Sequence, residues 1–237
     1  MIPATGELRA GDKVLVVGAG GPMGQMHVIR AVCSHLEGIS VVATDVDDSR
    51  LASLHRKAAP LAEANGVELR MVNPHKHPLA EKFTYVALMA PVPALVAQAI
   101  ADSDAGCIIN VFAGIPAPVR HELDLDAYIA RRCFLFGTSG STIRDMKIVL
   151  AKVQSGQIDT NCSVDAVSGM AGAADGIAAI EGRTMAGKII VYPALHDLPL
   201  VPLADLARRF PTVAAKLNNG TWCKAAEEEL LRAAADV

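Results

Sequence analysis

The sequence lacks the marks of several protein classes. It has 22 Lys and Arg residues against 25 Asp and Glu, so a formal net charge of −3 provides no basic surface for nucleic acid or an anionic membrane. No apolar run approaches the length of a membrane span, and the first residues do not have the architecture of a signal peptide. These absences favour a cytoplasmic protein whose partners include neither nucleic acid nor a membrane.

Signatures of metal and nucleophilic chemistry are also scarce. His75 and His77 share a proline-bounded loop without carboxylate or thiolate neighbours, so we expect them to face solvent. No Ser or Cys lies in a Gly-x-Ser-x-Gly pattern, and no Tyr is followed four residues later by Lys, which argues against the short-chain dehydrogenases. We predict no catalytic residue and no metal ligand within the chain. The five cysteines form no Cys-x-x-Cys pair and are expected to be reduced core residues: Cys33, Cys107, Cys133, Cys162 and Cys223.

A buried strand that leads through a glycine turn into a helix is the most informative feature present. Val14–Val17 is an apolar run of the kind that a parallel strand requires, and glycines then allow a tight turn that a ligand can approach closely. The free N–H groups of the following helix start face an anion, helped by the helix dipole. We predict a dinucleotide pyrophosphate over this turn, whose candidate residues are Gly18, Gly20, Gly21, Pro22, Met23 and Gly24. The glycine spacing alone also suits a turn in another α/β protein.

An acidic residue follows the second predicted strand at the position expected for a ribose ligand. Ser40–Thr44 is mostly apolar, and Asp45 lies 21 residues after Gly24. A carboxylate there binds both ribose hydroxyls and repels a 2′-phosphate, so we predict NAD rather than NADP. Asp45 could instead cap the next helix, although Asp47 and Asp48 are better placed to do so. Arg50 is either a solvated helix residue or a contact to adenine or ribose.

Strands and helices alternate through the first two thirds of the chain. With 51% hydrophobic residues the chain has an ample core, and we predict a Rossmann fold: a doubly wound, parallel, six-stranded sheet of order 3-2-1-4-5-6 with helices on both faces. The predicted Rossmann domain spans residues 8–157, and a helix–strand–helix extension spans 158–237. The predicted elements are strands at 14–17, 40–44, 67–72, 85–89, 106–111, 133–137 and 188–192, and helices at 23–35, 47–64 (interrupted near Pro60), 93–101, 142–154 and 170–181.

Ligands of such sheets bind at the carboxyl ends of the strands, next to the switch between strands 1 and 4. Ala90 and Pro91 follow the fourth strand, and Phe112, Ala113 and Gly114 follow the fifth. Each has an ordinary alternative, since Ala90-Pro91 also suits a plain loop and Phe112 a core aromatic. Two further candidates, Thr138 and Ser139, follow the sixth strand.

These segments together resemble the C-terminal part of a medium-chain, zinc-type alcohol or polyol dehydrogenase, and most closely its sorbose-1-phosphate reductase-like branch. The resemblance covers about residues 8–237. It implies hydride transfer between a nicotinamide cofactor and an alcohol, polyol or sugar phosphate. The segments that carry it are Gly11–Gly24, Thr44-Asp45, Arg50-Leu51, Ala90–Pro93, Asn110–Gly114, Gly137–Gly140, Leu150–Asp159 and Gly187–Pro193.

The family's zinc and most of its substrate pocket belong to an N-terminal domain that we expect to be missing from this chain. The chain would then supply only the cofactor half of the site and would not be catalytic alone. A stand-alone dinucleotide-binding or sensing module is the first alternative. A methyltransferase is a second, disfavoured because Val16 and Val17 stand where that class usually has an acid.

The sixth predicted strand suggests self-association. Cys133–Gly137 is apolar and has neither charge nor proline to protect a sheet edge. Members of the resembling family join such edges across a two-fold axis. We therefore expect a homodimer or a higher homo-oligomer, unless the segment after Gly156 covers this edge.

Overall fold

The structure, a computed structural model, describes residues 7–137 and 140–234. The chain divides into two compact units, Met1–Ile158 and Asp159–Val237, which we call the first and second units. Within the described residues, no helix is both long and apolar enough to cross a membrane.

The first unit is built on a parallel six-stranded sheet of order β3-β2-β1-β4-β5-β6. This is the predicted Rossmann arrangement, and the fold prediction is confirmed. Its strands are β1 (Lys13–Val17), β2 (Ser40–Thr44), β3 (Glu68–Val72), β4 (Phe83–Leu88), β5 (Ser103–Val111) and β6 (Phe134–Gly137). Its helices are α1 (Pro22–Val32), α2 (Asp48–Ala64), α3 (Pro93–Asp102), α4 (Leu125–Ala130) and α5 (Ile143–Gln154).

The central strands form the core of the first unit. Leu15, Val86 and Ile109, on β1, β4 and β5, are each at most 1% exposed. A parallel strand buried on both faces needs a continuous apolar run, and these three strands provide it. The rigid centre of the sheet therefore fixes the positions of the loops at its carboxyl edge.

Three helices of the first unit differ from the prediction, and one of them, α4, was not predicted. α1 was predicted to reach His35 but ends at Val32, because the chain turns tightly there and His35 adopts a left-handed φ of 58°. α2 was predicted to be interrupted near Pro60 but continues to Ala64. Burial of Ala58 and Ala62 on either side of Pro60 holds the helix together despite the missing N–H.

The second unit contains a three-stranded sheet of order β8-β7-β9. Its strands are β7 (Val164–Ser168), β8 (Lys188–Val191) and β9 (Val201–Pro202), and its helices are α6 (Ala173–Glu181), α7 (Leu206–Arg209), α8 (Pro211–Ala214) and α9 (Lys224–Ala233). β7 and β9 were not identified from the sequence. β8 was predicted as a strand with no crossover partner downstream, and it pairs in parallel with the upstream strand β7. Trp222, 1% exposed, lies in the core of this unit.

Candidate functional site

The carboxyl ends of β1, β4 and β5 meet at the switch point of the sheet. Met89 N–H donates to the Val17 carbonyl at 2.8 Å, and Phe112 N–H donates to the Leu88 carbonyl at 3.1 Å. A Cβ at Gly18 would lie 3.1 Å from Ala90 Cβ, so the first and fourth strand ends are in close contact. The three loops predicted to hold a ligand therefore share one edge of the sheet.

The glycine turn after β1 is shaped by close backbone contacts. Gly18 has a φ of 77°, and the N–H groups of Gly18 and Ala19 both donate to the Thr44 carbonyl. At Gly24 a Cβ would lie 2.6 Å from Ala19 Cα, so only glycine lets α1 start this close to the turn. At Gly20 a Cβ would lie 2.6 Å from Arg50 Cβ. These three glycines are required by the protein's own packing.

Gly21 differs, because it faces open space. Apart from its two chain neighbours, no described residue comes within 4 Å of a Cβ placed on it, and its φ of −79° and ψ of 169° suit any residue. It precedes Pro22, the first residue of α1, and no side chain caps this helix start. The N–H groups of the first turn are therefore available to an anion, with the positive end of the helix dipole behind them. Met23 is 45% exposed beside them.

Asp45 lies directly beside the glycine turn. Its Oδ2 accepts a hydrogen bond from Gly20 N–H at 2.9 Å, and its Oδ1 accepts one from Asp47 N–H at 3.1 Å. Asp47, not Asp45, caps α2, since its side chain accepts from the N–H groups of Ser49 and Arg50. Asp45 is therefore not used as a helix cap. Arg50, with a side chain only 16% exposed, packs against Gly20 on the same side of the turn.

The nicotinamide-side candidates lie on the loops after β4 and β5. Ala113 N–H donates to the Leu88 carbonyl at 2.9 Å, which fixes Phe112 and Ala113 against the end of β4. Pro91 and Gly114 are exposed at the same edge. Thr138 and Ser139, the candidates after β6, lie outside the described residues.

Two site residues were missed in the sequence. Gln25 is fully buried and donates from Nε2 to the Gly20 carbonyl at 3.1 Å. His27 contacts Phe112 edge to face, and its Nδ1 lies 2.9 Å from the Met23 carbonyl. Burial lowers the pKa of His27, and nearby Arg30 adds a smaller effect in the same direction. The sequence signal that could have identified Gln25 is that it is a polar residue within the apolar stripe of α1, between Gly24 and Val28.

The residues described here do not fit a catalytic zinc ion. Over residues 7–137 and 140–234, no group of three His, Cys, Asp or Glu side chains is placed to hold a metal. His75 and His77 are both exposed, and His75 N–H donates to the Asn73 side chain.

The site as a whole offers N–H donors for a phosphate group and a carboxylate for hydroxyl groups. These are the two functions that bind the pyrophosphate and the ribose of a dinucleotide. The two functions lie next to each other because Asp45 and the glycine turn are joined by a direct hydrogen bond.

Two curated proteins are similar to almost the whole chain. It is 28% identical over 249 residues to an uncharacterized protein, YggP, of Escherichia coli K12, covering 94% of this chain. It is 26% identical over 242 residues to L-sorbose 1-phosphate reductase of Klebsiella pneumoniae, covering 97% of this chain. The chain spans 57% of the length of each relative. No family model matches the sequence.

Solved alcohol dehydrogenases share the fold. Alcohol dehydrogenase TADH from Thermus sp. ATN1 superposes with a TM-score of 0.65 at 20% identity, covering 79% of this chain and 54% of its own. An alcohol dehydrogenase (rspB) from E. coli CFT073, complexed with NADH, has a TM-score of 0.64 at 19% identity and covers 78% of this chain and 53% of its own. The predicted resemblance to zinc-type alcohol and polyol dehydrogenases is confirmed: the curated reductase is similar in sequence, and the solved alcohol dehydrogenases share the fold.

Proposed function

We propose that this chain is the nicotinamide-dinucleotide-binding portion of an oxidoreductase. The parent reaction is hydride transfer between NAD(P) and an alcohol, polyol or sugar phosphate. The observation that carries the proposal is the open helix start at Gly21, which lies next to a carboxylate. The preceding residue, Gly20, donates its N–H to the side chain of Asp45. The similarity to L-sorbose 1-phosphate reductase supports the same reaction class.

In this proposal the pyrophosphate lies over the glycine turn, with Gly21 and Met23 nearest to it. Asp45 accepts hydrogen bonds from the adenosine ribose, with Arg50 beside it, and this carboxylate favours NAD over NADP. The nicotinamide half extends toward Ala90, Pro91 and the Phe112–Gly114 loop, with Thr138 and Ser139 assigned to the same end. When bound, the nicotinamide supplies the hydride chemistry. The role of these residues is to bind and orient it.

We further propose that the chain does not turn over substrate by itself. A catalytic zinc needs about three protein ligands and an open position, and in the resembling family a separate domain provides them. The alternative function is a stand-alone dinucleotide-binding or sensing module, which would bind the same cofactor without any substrate.

A competitive binding experiment tests the assignment. The purified chain is titrated with NADH, NADPH and S-adenosylmethionine by calorimetry, and we expect NADH to bind most tightly. Tight binding of S-adenosylmethionine with no response to NADH would replace the proposal with a methyltransferase. Zinc-independent turnover of sorbitol or sorbose 1-phosphate by the purified chain would contradict only the statement that it is inactive alone.

We also propose that the chain self-associates through β6. The two edges of the six-stranded sheet differ in chemistry: β3 carries Glu68 and Arg70, whereas β6 has no charged residue and exposes 39% of Leu135. Charged residues protect a sheet edge from pairing, and apolar edges lack this protection.

The cysteines of the described residues are all free, which suits a reducing compartment, and we place the protein in the cytoplasm.

A further inference from the structure

Gln25 is the most completely buried polar side chain near the glycine turn. It lies in the first turn of α1 and is 0% exposed. Its Nε2 donates to the Gly20 carbonyl at 3.1 Å. Because Gly20 is itself buried, this hydrogen bond holds the Gly20 carbonyl toward the protein interior.

Gly20 is thereby held through both of its backbone polar groups. Its N–H donates to Asp45 Oδ2 at 2.9 Å, and its carbonyl accepts from Gln25. An inward carbonyl matters at this position, because an outward one would present negative charge to an approaching phosphate. The N–H groups that follow at Gly21 and Met23 then remain the groups that face the ligand.

Lys57 extends this network to a second helix. From the partly buried face of α2, its Nζ donates to Gln25 Oε1 at 3.1 Å. An ammonium group is a donor only, so the Gln25 oxygen must face Lys57 and the Gln25 amide N–H must face Gly20. The positive charge also polarises the amide and strengthens the hydrogen bond to Gly20.

We propose that Gln25 is a positioning residue for dinucleotide binding and that Lys57 fixes the orientation of its amide. Gln25 holds the Gly20 carbonyl inward and so preorganises the turn for the pyrophosphate. The inference rests on the proposed cofactor-binding function. It adds two residues that are not themselves expected to touch the ligand.

Two substitutions at Gln25 separate hydrogen bonding from packing. Gln25→Met preserves the length of the side chain but removes its hydrogen bonds, including those with the Gly20 carbonyl and Lys57. Gln25→Glu retains the acceptor for Lys57, and its ionised form turns a second negative oxygen toward the Gly20 carbonyl. We expect each to weaken NADH binding about tenfold at about pH 8, given the usual strength of a buried hydrogen bond.

The pH dependence of Gln25→Glu identifies the role. A protonated carboxyl group has an O–H that donates to the Gly20 carbonyl, as the amide does. The ratio of its NADH Kd to that of the unchanged protein is therefore expected to fall toward one as the pH is lowered through the titration of the introduced carboxyl group, whose pKa burial raises and the Lys57 ammonium lowers. The ratio for Gln25→Met should stay constant over this range. If the substitutions cause only a structural defect, the Kd ratios of Gln25→Glu and Gln25→Met will both be independent of pH. That result would overturn the positioning role.

A second variant keeps the proposal testable if the buried substitutions prevent folding. Lys57→Met leaves Gln25 in place and removes the orienting partner of its amide, so we expect a two- to threefold weaker Kd, roughly half the free energy of one hydrogen bond. NADH binding equal to that of the unchanged protein in folded Gln25 or Lys57 variants would overturn the inference. Failure of the unchanged protein to bind NADH would overturn the proposed function as well.

Discussion

The ring of His27 lies edge-on to that of Phe112, with ring centroids 4.9 Å apart and an interplanar angle of 64°. This contact joins the first turns of α1 to the loop after β5, on two sides of the candidate site. Burial favours the neutral imidazole and lowers its pKa, although the hydrogen bond with the Met23 carbonyl opposes this effect.

The titration of His27 makes stability depend on pH. The unfolded chain takes up a proton at this residue near its ordinary pKa of about 6.5, whereas the folded state does so only at lower pH. The contribution of His27 to the free energy of unfolding is therefore fully present above about pH 6.5. It is lost as the pH falls toward the lowered pKa of the folded state. We expect Tm to fall by a few degrees between about pH 7.5 and 5.5, and to fall less in His27→Phe. His55→Phe, on exposed α2 surface, is the control and should follow the unchanged protein.

Gly21→Val tests the position of the pyrophosphate. The backbone at residue 21 suits valine, and its side chain would enter open space, so the fold should be retained. In the proposed complex that space holds the ligand, and we expect the Kd for NADH to rise at least a hundredfold, about 2.7 kcal/mol. Gly21→Ala should have a smaller effect, and melting curves check folding. An unchanged Kd in folded Gly21→Val would move the pyrophosphate elsewhere.

Asp45→Asn tests cofactor preference, since the amide oxygen can keep the hydrogen bond from Gly20 N–H while the acceptor for Asp47 N–H is lost. A hydrogen bond to a charged group contributes about 1.5–3 kcal/mol and one to a neutral group about 0.5–1.5 kcal/mol, so the loss of charge should weaken NADH binding about tenfold. NADPH binding should weaken less, since the repulsion of its 2′-phosphate is also removed. Asp47→Asn, in the cap of α2, should leave the NADH to NADPH ratio unchanged. Equal or tighter NADPH binding by the unchanged protein would reject the role of Asp45.

Two buried serines of the second unit should respond in opposite ways to truncation. Ser168 Oγ is buried and has no hydrogen-bond partner among the residues that the structure describes, whereas Ser163 Oγ donates to the Thr160 carbonyl at 3.0 Å. Removing an unpaired hydroxyl relieves a desolvation cost, so Ser168→Ala should leave Tm unchanged or raise it. Ser163→Ala should cost about 1 kcal/mol. Equal losses in thermal unfolding would show that Ser168 has a partner in solution.

Leu135→Lys places a charge on the apolar edge strand β6. We expect the unchanged protein to sediment as a dimer or larger species at micromolar concentration and the variant to sediment as a monomer. Glu68→Lys, at an exposed position on the opposite edge strand β3, is the control and should not alter the sedimentation. A monomeric unchanged protein would remove the proposed interface.

The first unit was predictable because its signals are local. The apolar run of β1, the glycines after it and Pro22 lie within a dozen consecutive residues, and each alone favours the observed strand, turn or helix start. The order of the strands then follows from the right-handed crossover rule. By contrast, β7 contains Asp165 and gains its stability from pairing with β8 and β9, which are distant in sequence. Propensity over five residues does not reveal such a strand.

The candidate site was only partly visible for a similar reason. Glycines and a strand-terminal acid can be counted along the sequence, but Gln25 and Lys57 meet across 32 residues. Their pairing depends on how α1 and α2 pack, which is a property of tertiary structure. The sequence also did not indicate which glycine is open to a ligand, because that distinction depends on what lies beyond each Cα.

The double use of Asp45 constrains cofactor engineering on this scaffold. Both of its carboxylate oxygens already accept backbone N–H groups, one from Gly20 and one from Asp47. A library that randomises position 45 alone would therefore select for turn geometry and for phosphate preference at the same time. Most of its variants would lose cofactor binding because the turn is no longer held by the Asp45 side chain. A designer seeking a 2′-phosphorylated cofactor would replace Asp45 by Asn, whose one oxygen can still accept from Gly20 N–H, and introduce the new cation from a neighbouring residue.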